Sequence, residues 1–310
     1  MHIVAAGSYC AEASDDLRPL KSLAREATGT SARRTGRFIQ LALIGAGRCV
    51  GSRTLAPDTA TYFTSGRGDL EITVDLLRQL YERGLTPAPF DFINTVGSSA
   101  GFHVARSFGL RGRSLFVTRR YAPLESALRL AAIDMADGAV RTALVGSADV
   151  CTSPLSAHRA RIGLPAGTPV GEGSHWFLLT AEPSAETGLG DVRTVRSFAE
   201  DGELVRHLDS MAVDPETSVL AGGQSLGPDR LAMLAGSSGI RAIFTYDEGI
   251  PWYDSRTGHG LHAFLTAPPA RTLVHVDGDP SGRVTLLVVD ATSPGGPGSR
   301  RPPREPRTDR

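Results

Sequence analysis

Residues 114–150, SLFVTRRYAPLESALRLAAIDMADGAVRTALVGSADV, read as a short apolar strand, a bend, a helix stopping at Gly138 and a second buried strand. Strands and a helix in that order call for a layered α/β fold, because each apolar face must be buried against another element. The bend is a position where many α/β enzymes present a nucleophile. Here it carries Tyr121, followed by Ala122 and by Pro123, which suits the first turn of a helix.

The same alternation runs through the rest of the chain. HIVAAG and TATYFTSG read as strands, and LRPLKSLAREAT and RTGRFIQLALIGAGRCV as helices. DLEITVDLLRQLYERG is a helix opened by Asp69 and closed by Gly84. FDFINTVGSSAGFHVARSFGLRG is an apolar entry into a helix of small residues, and HWFLLTAEP is a strand. After a linker, AEPSAETGLGDV, the pattern resumes more briefly. TSVLAGG, IRAIFTYDEG, RTLVHVDG and RVTLLVVD are predicted strands; PDRLAMLAGSSG and HGLHAFLTAP are predicted helices. This divides the chain into a first α/β half, residues 1–185, and a shortened second half, residues 186–292. Residues 293–310 hold Pro, Gly and Arg with almost nothing apolar, and are expected to form a disordered tail.

Composition narrows the function. Lys plus Arg and Asp plus Glu both number 33, so no basic field recruits nucleic acid or an anionic membrane. No apolar run is long enough to cross a bilayer, and MHIVAAGSYC lacks the marks of a signal peptide. Cys10, Cys49 and Cys151 are too far apart for a chelating or redox pair, so reduced thiols in a cytoplasmic protein are expected.

Several motifs invite a stronger reading than they support. Gly45, Gly47 and Gly51 in LALIGAGRCVG are spaced G-x-G-x-x-x-G, not as a dinucleotide fingerprint, and a glycine-tolerant helix packed closely on a neighbour is expected instead. His259 and His262, three apart, share a helical face without the spacing or glutamate of a zinc protease. His103 reads as a core or interface histidine. Glu172, between two glycines at the mouth of a strand, is expected to bind backbone amides and fix a turn. No cofactor and no metal site is indicated.

Taken together, FGLRGRSLFVT, ALRLAAIDMADGAVRTALVGSADV, VGEGSHWFLLT and DSRTGHGLHA resemble, in order, the segments around the active site of β-ketoacyl synthases of the thiolase superfamily. The resemblance covers most of residues 1–292. It implies a thiolase-like α/β/α/β/α fold built from two pseudo-repeated halves, the second abbreviated. In that family a cysteine at the bend carries the acyl chain, and two histidines assist decarboxylation and condensation. The alignment puts Tyr121 at the cysteine, Ala221 at the first histidine and Asp254 at the lysine of the KS..GH segment; His259 alone matches a catalytic residue. A phenol, with an ordinary pKa of about 10, is a poor acyl carrier.

These losses predict a scaffold without condensing chemistry, similar to the chain-length-factor subunits of type II polyketide synthases and related partner subunits of aryl-polyene and fatty-acid-type pathways. The expected partner is a catalytic β-ketoacyl synthase, with acyl carrier protein reached through it. By position, Arg67, Phe90, Phe92 and Phe102 are candidates for lining an acyl tunnel. Gly97, Ser98, Ser99, Ala100, Gly101, His103 and Phe116 are candidates for a dimer interface, although the small residues could equally serve packing within one subunit. The alternatives are a homodimeric acyl-binding protein, and an acyltransferase or hydrolase using His259 with Tyr121 or a nearby serine.

Overall fold

A computed structural model describes residues 1–30, 35–183 and 188–292, apart from the side chains at positions 90, 91 and 94. The expected tail, residues 293–310, lies outside the described residues, as does part of the expected linker. The first run of elements is β1 (His2–Glu12), α1 (Lys21–Thr28), α2 (Arg37–Val50), β2 (Ala60–Ser65), α3 (Leu70–Tyr81) and α4 (Pro89–Thr95). It continues through α5 (Ser98–Ser107), β3 (Ser114–Thr118), α6 (Pro123–Ala136), β4 (Thr142–Asp149), α7 (Leu155–Ile162) and β5 (Gly171–Thr180). The second run is β6 (Gly190–Phe198), α8 (Asp201–Ser210), β7 (Ser218–Gly222), α9 (Pro228–Ser238), α10 (Thr257–Thr266), β8 (Thr272–Gly278) and β9 (Val284–Ala291).

The strands form a nine-stranded sheet in the order β3-β2-β4-β5-β1-β6-β9-β8-β7. Its two sides repeat one topology. Outward from the middle, β1 is antiparallel to β5, β5 to β4, and β4 is parallel to β2. In the same way β6 is antiparallel to β9, β9 to β8, and β8 is parallel to β7. β3 extends the first side, parallel to β2, and among the described residues the second side has no matching strand. The sides join where His2 and Ile3 of β1 meet Asp191 and Gly190 of β6.

Side chains alternate along each strand, so each sheet face feeds a separate apolar layer. Phe63, Trp176 and Leu178 pack outward with Phe38, Leu41 and Ile44 of α2. Tyr62, Phe177 and Leu179 point the other way, into a central layer with Leu124 and Leu128 of α6 and Phe264 of α10. Val219, Leu273, Leu287 and Val289 close that layer from the second side. Val274, Val276, Leu286 and Val288 form a third layer with Leu204 and Leu208 of α8 and Leu234 of α9. Helices thus lie outside both sheet sides and between them, the layered α/β/α/β/α order expected.

Local chemistry explains the element ends. The Asp69 side chain accepts a hydrogen bond from the Ile72 N–H at 3.2 Å and caps α3. α2 carries Gly45 and Gly47 because a Cβ there would fall 2.3 Å from Ser174 Oγ and 2.3 Å from the Ala27 carbonyl. The glycine run is therefore a packing device, as its spacing suggested. The expected strand over 240–249 does not form. It touches β7 through a bridge of Ile243 to Leu220, after which Phe244 and Tyr246 pack against Phe264 and His275 in the central layer. Burying those two rings takes the backbone away from the sheet edge. The sequence pattern does not mark α7, β6 or α8; only the first three residues of β6, GDV of GDVRTVRSF, fall within the expected linker.

Candidate functional site

The bend between β3 and α6 is built as its sequence implies, with a tyrosine on it. Ala122, buried, has φ 47° and ψ 52°, a left-handed conformation that costs an alanine roughly 1–2 kcal/mol. Its carbonyl accepts from the Ser126 N–H at 3.1 Å and from Ser126 Oγ at 2.8 Å. Arg119 Nη1 donates to Ser126 Oγ at 3.2 Å. Tyr121 is half-buried, and the Arg120 guanidinium stands over its ring, 5.5 Å from the centroid.

Across the central layer, Ala221, next to last in β7, is completely buried, leaving a methyl group at the aligned histidine position. Asp254 is also buried, and Arg67 Nε donates to its Oδ2 at 2.7 Å. Gln224 Nε2 donates to the Asp254 carbonyl at 2.8 Å, tying the loop after Ala221 to the loop before His259. Gly66 makes this approach possible, since a Cβ there would lie 2.2 Å from the Asp254 Cβ. Arg67, expected along an acyl tunnel, is thus the counter-ion of the reversed charge at 254.

A second buried carboxylate stands beside this pair. Asp149 Oδ1 accepts from Ser65 Oγ at 2.7 Å and from the Gly66 N–H at 2.8 Å, while Oδ2 has no hydrogen-bond partner. Burial pushes the carboxyls of Asp149 and Asp254 above the usual range; the charge of Asp254 adds to the rise at Asp149. Arg67 and Arg120 oppose the rise at Asp254. The space among Arg67, Asp149, His158, Trp252, Tyr253 and Asp254 is about 10 Å³, room for about one water. It does not admit an acyl chain.

His259, in the first turn of α10, is half-buried, and burial lowers its pKa, favouring the neutral ring. Its Nδ1 is buried without a hydrogen-bond partner. Its ring stands edge-on to His175, 6.0 Å away. His175 bridges Ser8 Oγ and Tyr253 Oη, at 2.9 Å each, and burial drives its pKa well below the ordinary value. Sequence reasoning missed His175 because it sits in a strand whose neighbours all read as core. Glu172, expected to bind backbone amides, is held by a side chain. Arg37, which opens α2, grips it with two N–H groups, Nε to Oε2 at 2.6 Å and Nη2 to Oε1 at 2.5 Å.

The interface candidates divide. Gly97 turns inward, for a Cβ would land 2.0 Å from a ring carbon of Phe116. Ala100 is fully buried, and Gly101 faces Ser114 of β3 and Phe63 of β2. Phe116 packs on Phe63, with ring centroids 5.4 Å apart. These residues make packing contacts within the chain. Ser98 is exposed, Ser99 Oγ donates to the Ile93 carbonyl at 2.9 Å, and His103 is part-buried, which lowers its pKa.

Phe92 and Phe102, expected to line a tunnel, are instead on the surface, 62% and 60% exposed. They join Ile93, Val96, Leu115 of the edge strand β3, and Leu77, Leu80 and Tyr81 of α3 among the exposed apolar side chains. The Phe90 side chain lies outside the described residues. No helix among those residues is long and apolar enough to cross a membrane.

No protein-family model and no curated protein sequence matches this chain. Solved structures do. The ishigamide ketosynthase/chain length factor matches with a TM-score of 0.70 at 21% identity, over 94% of this chain and 99% of that one. A type II polyketide synthase acyl-carrier protein in complex with its ketosynthase matches at TM-score 0.72 and 12% identity, over 94% and 99%. A β-ketoacyl synthase from Burkholderia phymatum STM815 matches at 0.64 and 13%, over 91% and 86%. The chain therefore has the thiolase-like fold of the β-ketoacyl synthases.

Proposed function

We propose that this chain is a non-catalytic, chain-length-factor-like subunit that pairs with an active β-ketoacyl synthase working on acyl-carrier-protein thioesters. The observation that carries the reading is the buried Arg67–Asp254 ion pair, which stands where the family keeps its lysine. With Tyr121 at the bend and Ala221 in place of a histidine, the site has neither a thiolate nor the histidine pair that condensation uses. A lone phenol under a guanidinium cannot replace them.

The surface supports a pairing role. β3 is an edge strand whose outer N–H and C=O groups are open to another strand. Leu115 on it, and Phe92, Ile93, Val96 and Phe102 of the preceding segment, offer aromatic and aliphatic side chains of the kind that anchor interfaces. One structural neighbour is itself named a ketosynthase/chain length factor. On this reading the chain contributes shape and stability, and the partner contributes the cysteine.

The reading is tested by incubating the purified chain alone with acyl- and malonyl-carrier-protein thioesters. No condensation product and no decarboxylation are expected. A second reading, acyl transfer or hydrolysis, is favoured by the neutral ring and unpartnered Nδ1 of His259. Thioester turnover by the chain alone, abolished in His259→Ala, would establish that reading in place of the first.

A further inference from the structure

The histidine missing at 221 has a counterpart one strand away. β7 and β8 are parallel, and Ala221 is paired in register with His275. Residues paired in this way project to the same face, so the imidazole of His275 enters the central layer beside the Ala221 methyl. It is 3% exposed there. Its Nδ1 lies 3.1 Å from Oε1 of Glu125, a wholly buried carboxylate in the first turn of α6, four residues beyond Tyr121. Neither atom has a hydrogen-bond partner among the described residues, so the contact is one of proximity.

The other nitrogen of His275 is also engaged. Nε2 is 3.1 Å from Tyr246 Oη, which donates to the Gly222 carbonyl at 3.2 Å in the loop that follows Ala221. Two residues along β8, on the same face, Asp277 Oδ1 accepts from the N–H groups of Ser225, at 3.2 Å, and Gly278, at 2.9 Å. Asp277 is 2% exposed.

We infer that His275, with Glu125, Asp277 and Tyr246, forms a clasp that stands in the missing histidine's place and fastens the Tyr121 bend to the second side of the sheet. In this dry layer burial and the neighbouring Glu125 disfavour the ionised form of Asp277. The clasp belongs to this chain's own geometry and stands whether or not a ketosynthase partner exists.

The groups facing Asp277 set its response to pH. They are Glu125 from α6, His275 on β8 itself, and Tyr246 from the segment leading into α10. Arg230 of α9, near Gly278, is engaged by Asp201 at 2.7 Å. Burial first, then the Glu125 charge, pushes the Asp277 carboxyl up to about 6, against the pull of His275 and the two N–H groups. A carboxyl raised by folding favours the folded state fully below its ordinary pKa, and that contribution is lost as pH rises through about 6. The clasp is therefore tight in mild acid and loosest above neutrality.

The test is amide hydrogen exchange of residues 121–128 in the full chain at pH 4.5 and 7.5, corrected for the intrinsic pH dependence of exchange. Protection in the wild type should fall on the order of 20-fold between the two. Asp277→Asn, which keeps an oxygen for both N–H groups, should remove most of that fall and raise the melting temperature at pH 7.5. His275→Gln should lose protection at both pH values; if it does not fold, Asp277→Asn decides alone. The same pH-dependent fall in Asp277→Asn and wild type would overturn the inference, as would an Asp277→Asn chain destabilised equally at both pH values.

Discussion

Arg67 and Asp254, 187 residues apart in sequence, meet with Nε donating to Oδ2 at 2.7 Å, and the Asp254 side chain is 4% exposed. A buried carboxylate without its counter-ion is costly. Arg67→Ala should therefore destabilise the chain by about 3–5 kcal/mol, and chemical denaturation measures this directly. Asp254→Asn, which removes the stranded charge, should cost less. A neutral result for Arg67→Ala would mean that the pair does not hold the two loops.

Gly97 tests whether the small-residue run packs inside the chain. Gly97→Ala would drive a methyl into the Phe116 ring and should cost about 1–3 kcal/mol in unfolding free energy. An interface glycine would instead leave the melting temperature alone and weaken association.

The exposed apolar face makes the opposite prediction. Phe92→Asp or Phe102→Asp alters a side chain that is 62% or 60% exposed, so the stability of the isolated chain should move by no more than about 0.5 kcal/mol. Affinity for a ketosynthase partner should fall on the order of 100-fold, as for loss of an aromatic anchor. Titration calorimetry separates the two effects.

Asp69 supplies a second pH probe. Burial, its largest influence, raises its carboxyl to about 7, while the Ile72 N–H it caps pulls the other way. With the folded pKa above the unfolded one, its contribution is complete below the ordinary carboxylate pKa and is lost as pH climbs through about 7. Asp69→Asn keeps a capping oxygen. It should flatten the decline in melting temperature between pH 4.5 and 8, gaining a few kcal/mol at the alkaline end, on the order of the shift itself. A decline as steep as in the wild type would show that the Asp69 carboxyl titrates alike in the folded and the unfolded chain.

Much of the architecture was legible because it is periodic. The strand–bend–helix–strand of residues 114–149, the capped α3 and the glycines of α2 all follow from local spacing. The 240–249 segment misled because Ile240, Ile243 and Phe244 look like a strand, yet burying Phe244 and Tyr246 in the central layer draws the backbone off the sheet edge. The charges at the site were legible as identities but not as partners. Nothing local tells Asp254 that Arg67 awaits it, or Glu172 that Arg37 does, because sheet order creates both meetings. Likewise, His275 is recognised beside Ala221 only from the register of β7 and β8.

The most direct test of the pairing account is native mass spectrometry of the chain co-expressed with candidate intact β-ketoacyl synthases. The account predicts a one-to-one heterodimer as the dominant species. A chain that stays monomeric, or pairs only with itself, would contradict it.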